Sequence, residues 1–320
     1  MLQSHKNKPL TVSVADLIQL QKSAHSIHFS YKRQMLDSLS GHSACSLRSR
    51  GMDFSEVRHY QWGDDVRSID WRVTARTGKP YTKVFCEERD RTVFFVIDYR
   101  PAMFFGTRVT FKSVIAAKAA ALLAWAAIEE GNRVGAFVCS AHQCVELRPR
   151  ARRHGVLPLL KVLANPMQMF GEQTSTKSSR HLDRHFKDDI SGMTVALTHL
   201  KRVAHPGSLI VLLSDFRGIG QETEPVVSQL SQHSEIMMGF ISDPFEQFPP
   251  PPNQYVVADG EKKLMIDTAQ ASVCAAYSAS FQQRYQHVLQ MVKKYRLSYF
   301  ELYTNSDVVE SLSKQLSNKH

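Results

Sequence analysis

Asp98 and Asp215 are the residues of this 320-residue chain best placed for ligand chemistry, because each closes a short apolar run, Thr92-Val-Phe-Phe-Val-Ile-Asp98 and Ser208-Leu-Ile-Val-Leu-Leu-Ser-Asp215. Such runs read as buried strands, and in an open α/β sheet ligands gather beyond the carboxyl ends of the strands. Two acids at neighbouring strand ends can hold a hard divalent cation such as Mg²⁺ when hydroxyls complete an octahedral shell. Here the first acid continues as Asp98-Tyr99-Arg100-Pro101-Ala102. A guanidinium cannot ligate a cation, and its permanent charge repels one. The expectation is therefore that Arg100 pairs with Asp98 or Asp215 and replaces a metal as the organising charge, with no cofactor bound. Mg²⁺ at Asp98 and Asp215 is the alternative.

A second concentration of chemistry lies at Gly51-Met-Asp-Phe-Ser-Glu-Val-Arg-His-Tyr-Gln-Trp-Gly-Asp-Asp-Val-Arg-Ser-Ile-Asp-Trp71, continuing to Arg76. Arginine and aspartate alternate there at close spacing among tryptophan and tyrosine. Such a set can build a guanidinium and carboxylate network with aromatic lids, in which bidentate pairing fixes geometry more than it adds energy. It serves either as a clasp that holds an N-terminal extension on the rest of the chain or as a partner-facing surface, since Trp, Tyr and Arg dominate interface hot spots. Acid/base catalysis is not implied, because the adjacent carboxylates of Asp64 and Asp65 point apart.

Enzyme signatures are missing elsewhere: there is no Gly-x-Ser-x-Gly elbow, phosphate-binding Gly-rich loop, HExxH or GxGxxG. The chain reads as a non-enzyme. A metal-dependent hydrolase using Asp98 and Asp215 is disfavoured by Arg100 and by the absence of a histidine beside either acid. Lys and Arg total 40 against 30 Asp and Glu, a formal charge of +10. That field attracts anions of any kind. Its densest cluster, Arg148, Arg150, Arg152 and Arg153, reads as a solvated loop and helix start, and no helix-turn-helix, zinc-finger or RNA-recognition pattern accompanies it. Nucleic acid is not the expected partner, although a basic nucleic-acid-binding protein is the alternative function.

The elements that must position these residues are legible downstream of Thr92. Apolar runs alternate with helical patterns, as in a mostly parallel sheet flanked by helices. A helix over Thr110–Glu130 follows the first strand, and Arg133–Cys139 with Cys144–Arg148 reads as a hairpin that adds an antiparallel edge strand. Gly171–Lys187 is polar, basic and aperiodic, and reads as a loop. Further helices are expected near Ser191–Val203, Glu222–His233, Ala269–Lys294 and Asp307–Leu316, the last capped by Asn305 or Ser306. Strands are expected at Glu235–Ser242 and Leu297–Tyr303, with a small hairpin over Tyr255–Ile266.

The longest apolar stretch, Ser113–Ile128, is broken by Lys118 and is shorter than the ~20 residues a membrane span needs. It reads as a buried helix, with no membrane insertion. The first residues lack the apolar core of a signal peptide, so the cytoplasm is the expected compartment. Five cysteines without CxxC spacing read as reduced thiols.

Two resemblances sharpen the picture. The pattern of Asp98 and Asp215 at strand ends resembles a von Willebrand factor A domain, whose metal-ion-dependent adhesion site uses Asp-x-Ser-x-Ser after the first strand, a Thr from a middle loop and an Asp after the fourth strand. Arg100 and Ala102 stand where the two serines belong, and Ser191 stands in for the Thr; the resemblance thus implies a degenerate site made of Asp98, Arg100, Ser191 and Asp215. The segment ending at Trp71 resembles the hallmark of the bacterial family known as domain of unknown function 58, through Phe54, Arg58, Tyr60, Gly63, Asp64, Asp65, Arg67, Asp70, Trp71, Ala75 and Arg76. That family sets this motif just before a von Willebrand A-like domain. It implies a β-rich N-terminal extension over residues 1–91 and an α/β, von Willebrand factor A-like domain over residues 92–320. It further implies a soluble adaptor or assembly factor that docks to a MoxR-type AAA+ ATPase and its clients, with membrane-bound von Willebrand factor A proteins as further partners.

Overall fold

The structure is a computed structural model, and it describes residues 10–27, 52–62, 65–87, 91–140, 143–165, 179–181, 192–218, 222–259 and 262–317. The chain forms two compact units: Lys32–Asp90, and Met1–Tyr31 with Arg91–His320. The start of the chain thus groups with the α/β unit and not with residues 32–90. Packing is the reason. The short helix Val14–Gln19 buries Leu17 completely, and the indole N–H of Trp125 donates to the Leu17 carbonyl at 3.1 Å.

In the smaller unit, strands β1 (Met52–His59) and β2 (Tyr81–Glu87) pair antiparallel. The segment between them carries the family motif and closes as the helix Trp71–Thr77. Its start is set by Asp70, whose carboxylate accepts the N–H groups of Arg72 and Val73, and its end by Gly78 in the left-handed region at φ 69°. A helix N-cap of this kind stabilises by about 1 kcal/mol.

The larger unit is built on seven strands: β3 (Thr92–Asp98), β4 (Arg133–Cys139), β5 (Cys144–Ala151), β6 (Ser179–His181), β7 (Leu209–Ser214), β8 (Glu235–Ser242) and β11 (Ser298–Tyr303). Their order is β11-β8-β7-β3-β4-β5-β6, parallel from β11 to β4 and antiparallel at β5 and β6. This is the doubly wound, von Willebrand factor A-like α/β arrangement expected from the sequence. The chain leaves β3 towards β4 and later returns to β3's other side as β7, which opens a crevice at the carboxyl ends of β3 and β7.

Period-two alternation distributes β3 between two cores. Val93, Phe95 and Ile97 face the layer containing the helices Lys112–Glu129, Arg153–Ala164 and Val308–Ser317, while Phe94 and Val96 face Gly192–Val203 and Ala271–Tyr295. The Lys112–Glu129 helix is buried on nearly every side, and its many alanines let the sheet and neighbouring helices approach closely. In β8, Gly239 makes room for a neighbour: a Cβ there would lie 2.5 Å from Cζ of Phe300 and 2.7 Å from Cδ2 of Leu213.

Two smaller expectations are corrected. Cys139 and Cys144 lie opposite each other across the β4–β5 pair and form a disulfide, so these thiols are not reduced. The last helix is capped by Asp307, whose carboxylate accepts the N–H groups of Val309 and Glu310, and not by Asn305 or Ser306. The predicted small hairpin forms as β9 (Gln254–Asp259) with β10 (Lys262–Asp267). Of the stretch 171–187, only Ser179–His181 lies within the described residues, as β6.

Candidate functional site

The crevice holds Asp98, Ser214 and Asp215 because parallel pairing of β3 with β7 aligns Ile97 with Leu213, which sets the next residues of each strand side by side. The Ser214 hydroxyl donates to Asp98 Oδ2 at 2.6 Å. Asp98 is almost fully buried, and its remaining capacity is spent on Arg100. The Arg100 backbone N–H and Nε donate to Oδ1 at 3.0 and 2.9 Å, and Nη2 donates to Oδ2 at 2.6 Å. A fork bound side-on to one carboxylate leaves little rotational freedom. Arg100 also lies 3.9 Å from Asp215. Burial works against its positive charge, but Asp98 and then Asp215 outweigh burial and raise its pKa.

Asp215 depends on a residue that sequence reasoning missed. Lys112 opens the apolar helix after β3, is completely buried, and donates to Asp215 Oδ2 at 2.7 Å and to Glu246 Oε1 at 2.8 Å. Burial pushes the Asp215 pKa up, yet the Lys112 ammonium, the Arg217 backbone N–H and the Arg217 charge overcome it and hold the carboxyl below its ordinary range. Glu246 sits in the short helix Pro244–Gln247, where it completes a capping box with Asp243. It also receives Arg217 at 2.7 Å and faces Arg284 at 3.6 Å.

Asp243 follows β8 as Asp215 follows β7, and the same strand-end rule could have found it. It fastens the loop after β3: the Thr107 N–H and hydroxyl donate to it at 3.0 and 2.7 Å, and the Thr304 hydroxyl donates as well. Burial opposes its charge, but the hydroxyls of Thr304 and Thr107 and the Phe245 and Thr107 amides lower its pKa. The legible signal for Glu246 was Asp243-Pro-Phe-Glu246, a capping box with proline in the first turn. Nothing comparable marked Lys112, Arg217 or Arg284, whose roles arise only from strand order.

The donor set does not fit the divalent cation that the fold family implies. Asp98 is taken by a guanidinium and a hydroxyl, Asp215 by an ammonium, and the next position of the motif is Ala102. Any cation would have to displace a bound positive charge from a buried carboxylate. Ser191, the expected hydroxyl ligand, lies outside the described residues; Thr194, one turn into the following helix, is bonded instead to the Thr223 hydroxyl at 2.7 Å. No group of three or more His, Cys, Asp or Glu suited to a metal occurs among the described residues.

The loop after β7 is shaped to project one side chain. Phe216 and Gly218 both have positive φ, 54° and 78°, flanking Arg217. Phe216 is buried against Phe240, while Arg217 remains 51% exposed. A non-glycine residue held in this region costs on the order of 1–3 kcal/mol and persists where its surroundings enforce it.

The other predicted residues are elsewhere. Asp65 accepts the Arg67 N–H at 2.9 Å and Asp70 caps its helix, so both stitch the smaller unit locally. The Tyr60 N–H donates to the Pro80 carbonyl, Arg58 lies on β1, and Arg76 occupies the last turn of the Trp71–Thr77 helix. Trp71 is 65% exposed and Trp62 is fully exposed. Gly63, Asp64 and the side chain of Phe54 lie outside the described residues. Arg148 and Arg150 sit on β5, and Arg152 and Arg153 follow it. Ala151 pairs with Arg133, at the amino end of β4, so this basic cluster lies at the opposite end of the sheet from Asp98.

No helix among the described residues is long and apolar enough to cross a membrane. A solved structure of the conserved hypothetical protein BatB from Bacteroides thetaiotaomicron aligns with a TM-score of 0.43 and 12% identity, over 71% of this chain and 97% of that one. Uncharacterised proteins Rv1480 of Mycobacterium tuberculosis and Mb1516 of Mycobacterium bovis are each 25% identical over 256 residues, covering 78% of this chain and 75% of theirs. Residues 56–287, which run from the smaller unit through most of the sheet and into the long helix beside Glu246, match the family described as protein of unknown function DUF58, and the chain belongs to that family.

Proposed function

We propose that this protein is a non-enzymatic, cytoplasmic adaptor or assembly factor that docks to a MoxR-type AAA+ ATPase through the strand-end face around Asp98, Arg100 and Asp215. The observation that carries the reading is the replacement of a metal by fixed cations. Arg100 and Lys112 neutralise the buried acids, and the Ser214 hydroxyl that donates to Asp98 is fully buried against a carboxylate already held by Arg100. A site organised in this way needs no cofactor, and the charge it offers to solvent is the half-exposed Arg217 beside the mostly buried Arg100. The family resemblance supplies the class of partner.

The test is a tagged pull-down from native bacterial lysate with Mg²⁺ and ATP after nuclease treatment, combined with photo-crosslinking. A photoreactive residue placed at Phe104, 37% exposed in the loop after β3, should capture an AAA+ ATPase, while one at Arg148 should not. Capture from Arg148 alone would move the docking surface away from the strand-end face, and recovery that disappears with nuclease would replace docking by the basic nucleic-acid-binding reading.

A further inference from the structure

Beside the crevice, between the loop after β7 and the long helix Ala271–Tyr295, runs a trough of about 810 Å³. Its helical wall carries Tyr277, Arg284, His287 and Gln290, the first two separated by two turns and the others by one turn each along one face, with Gln283 adjoining. Arg217 forms the opposite rim. From Tyr277 to Gln290 the wall extends about 20 Å along the helix, longer than a single phosphate group requires.

Its polar groups are unbalanced in a specific way. One carboxylate, Glu246, faces three cations: Arg217 at 2.7 Å, Lys112 at 2.8 Å and Arg284 at 3.6 Å. Lys112 and Arg217 also face Asp215, at 2.7 and 3.5 Å, so three cations share two carboxylates and the trough retains an excess of positive charge. Arg284 Nε and His287 Nε2 are buried and have no hydrogen-bond partner among the described residues. Leaving such groups unsatisfied costs about 1–3 kcal/mol each, more when charged. Both line the same cavity one helical turn apart. Burial, reinforced by the Arg217 charge against the pull of Glu246, lowers the Arg284 pKa, which marks a cation with incomplete compensation.

We infer that this trough binds an acidic peptide segment of a partner protein, with a carboxylate seated between Arg217 and Arg284, His287 donating to it, and the glutamines pairing with the peptide backbone. The inference rests on the docking reading and gives the partner's contact its chemistry. A guanidinium recognises a carboxylate through its planar fork of N–H donors, and Gln supplies both donor and acceptor for an extended main chain.

The experiment uses the full chain and a fluorescein-labelled, end-capped peptide, Gly-Glu-Glu-Gly-Glu-Glu-Gly, read by fluorescence anisotropy against the same peptide with Gln in place of Glu. The Glu peptide should bind at least tenfold more tightly. R217Q and R284Q should each weaken it at least fivefold, while R148Q/R153Q, at the far end of the sheet, should leave it unchanged. Arg284 is largely enclosed, so thermal melts accompany R284Q; Arg217 is half exposed and carries the test if R284Q unfolds. Equal binding of the two peptides, or a loss that follows R148Q/R153Q, overturns the inference. Displacement by inorganic phosphate at lower concentration than by acetate would assign the trough to a phosphorylated ligand and overturn it equally. An ATPase captured undiminished by R217Q would remove the trough but leave the docking reading standing, whereas a peptide bound without any ATPase would do the reverse.

Discussion

Replacing Lys112 by methionine should destabilise the α/β unit by about 3 kcal/mol. At an effective dielectric constant near 20, the 2.7 Å contact with Asp215 is a gross attraction of about 6 kcal/mol, offset by the cost of desolvating a fully buried ammonium. Methionine matches the aliphatic stem but leaves two enclosed carboxylates without their shared cation. Breaking a buried pair from one side costs about 3–5 kcal/mol. The lower end applies because Arg217 remains 2.7 Å from Glu246 and Arg100 3.9 Å from Asp215. With a urea slope of about 2–3 kcal/mol/M, the midpoint should fall by about 1–1.5 M. Adding Asp215→Asn to the methionine variant should restore about 1–2 kcal/mol, because the orphaned charge is then gone. A loss under about 1 kcal/mol, or no rescue by the second substitution, would refute the view that Lys112 is the organising charge of the site.

Acid should weaken this unit only at low pH. Asp215 and Asp243 have folded pKa values below their ordinary ones, so their stabilisation is fully present above about pH 4 and is lost as pH falls through the lowered values; urea midpoints between pH 7 and pH 3 check this. Gly239→Ala should cost about 1–3 kcal/mol by forcing the Phe300 ring and Leu213 aside, read as a lower melting temperature with unchanged circular dichroism at 20 °C or so. Acrylamide should quench Trp62 and Trp71 but spare Trp125, which is 1% exposed; uniform quenching of all three would contradict the packing of the Lys112–Glu129 helix. A non-reducing peptide map should recover Cys139 linked to Cys144, and free thiols at both positions would refute that bond while leaving the β4–β5 pairing untouched.

The sequence by itself determined the sheet and its two strand-end aspartates. Seven-residue apolar runs such as Thr92–Asp98 have few alternatives to burial as strands, and the alternation of strand with helix forces a mostly parallel sheet. It also sets a permanent guanidinium charge two residues from Asp98, since ionisation of Arg100 does not depend on fold. Only the tertiary structure decided which cations meet which acids. Lys112 looks like an ordinary surface residue at the head of an alanine-rich helix until the helix packs behind β3 and carries its ammonium 2.7 Å from a residue 103 positions later. The antiparallel direction of β5 likewise carried Arg150 to the amino end of β4, away from Asp98. Arg217 and Arg284 share a trough only in the folded chain. Local patterns specify which face of an element is buried, whereas electrostatic partnership depends on distances between elements, and those are fixed only when the whole core packs at once.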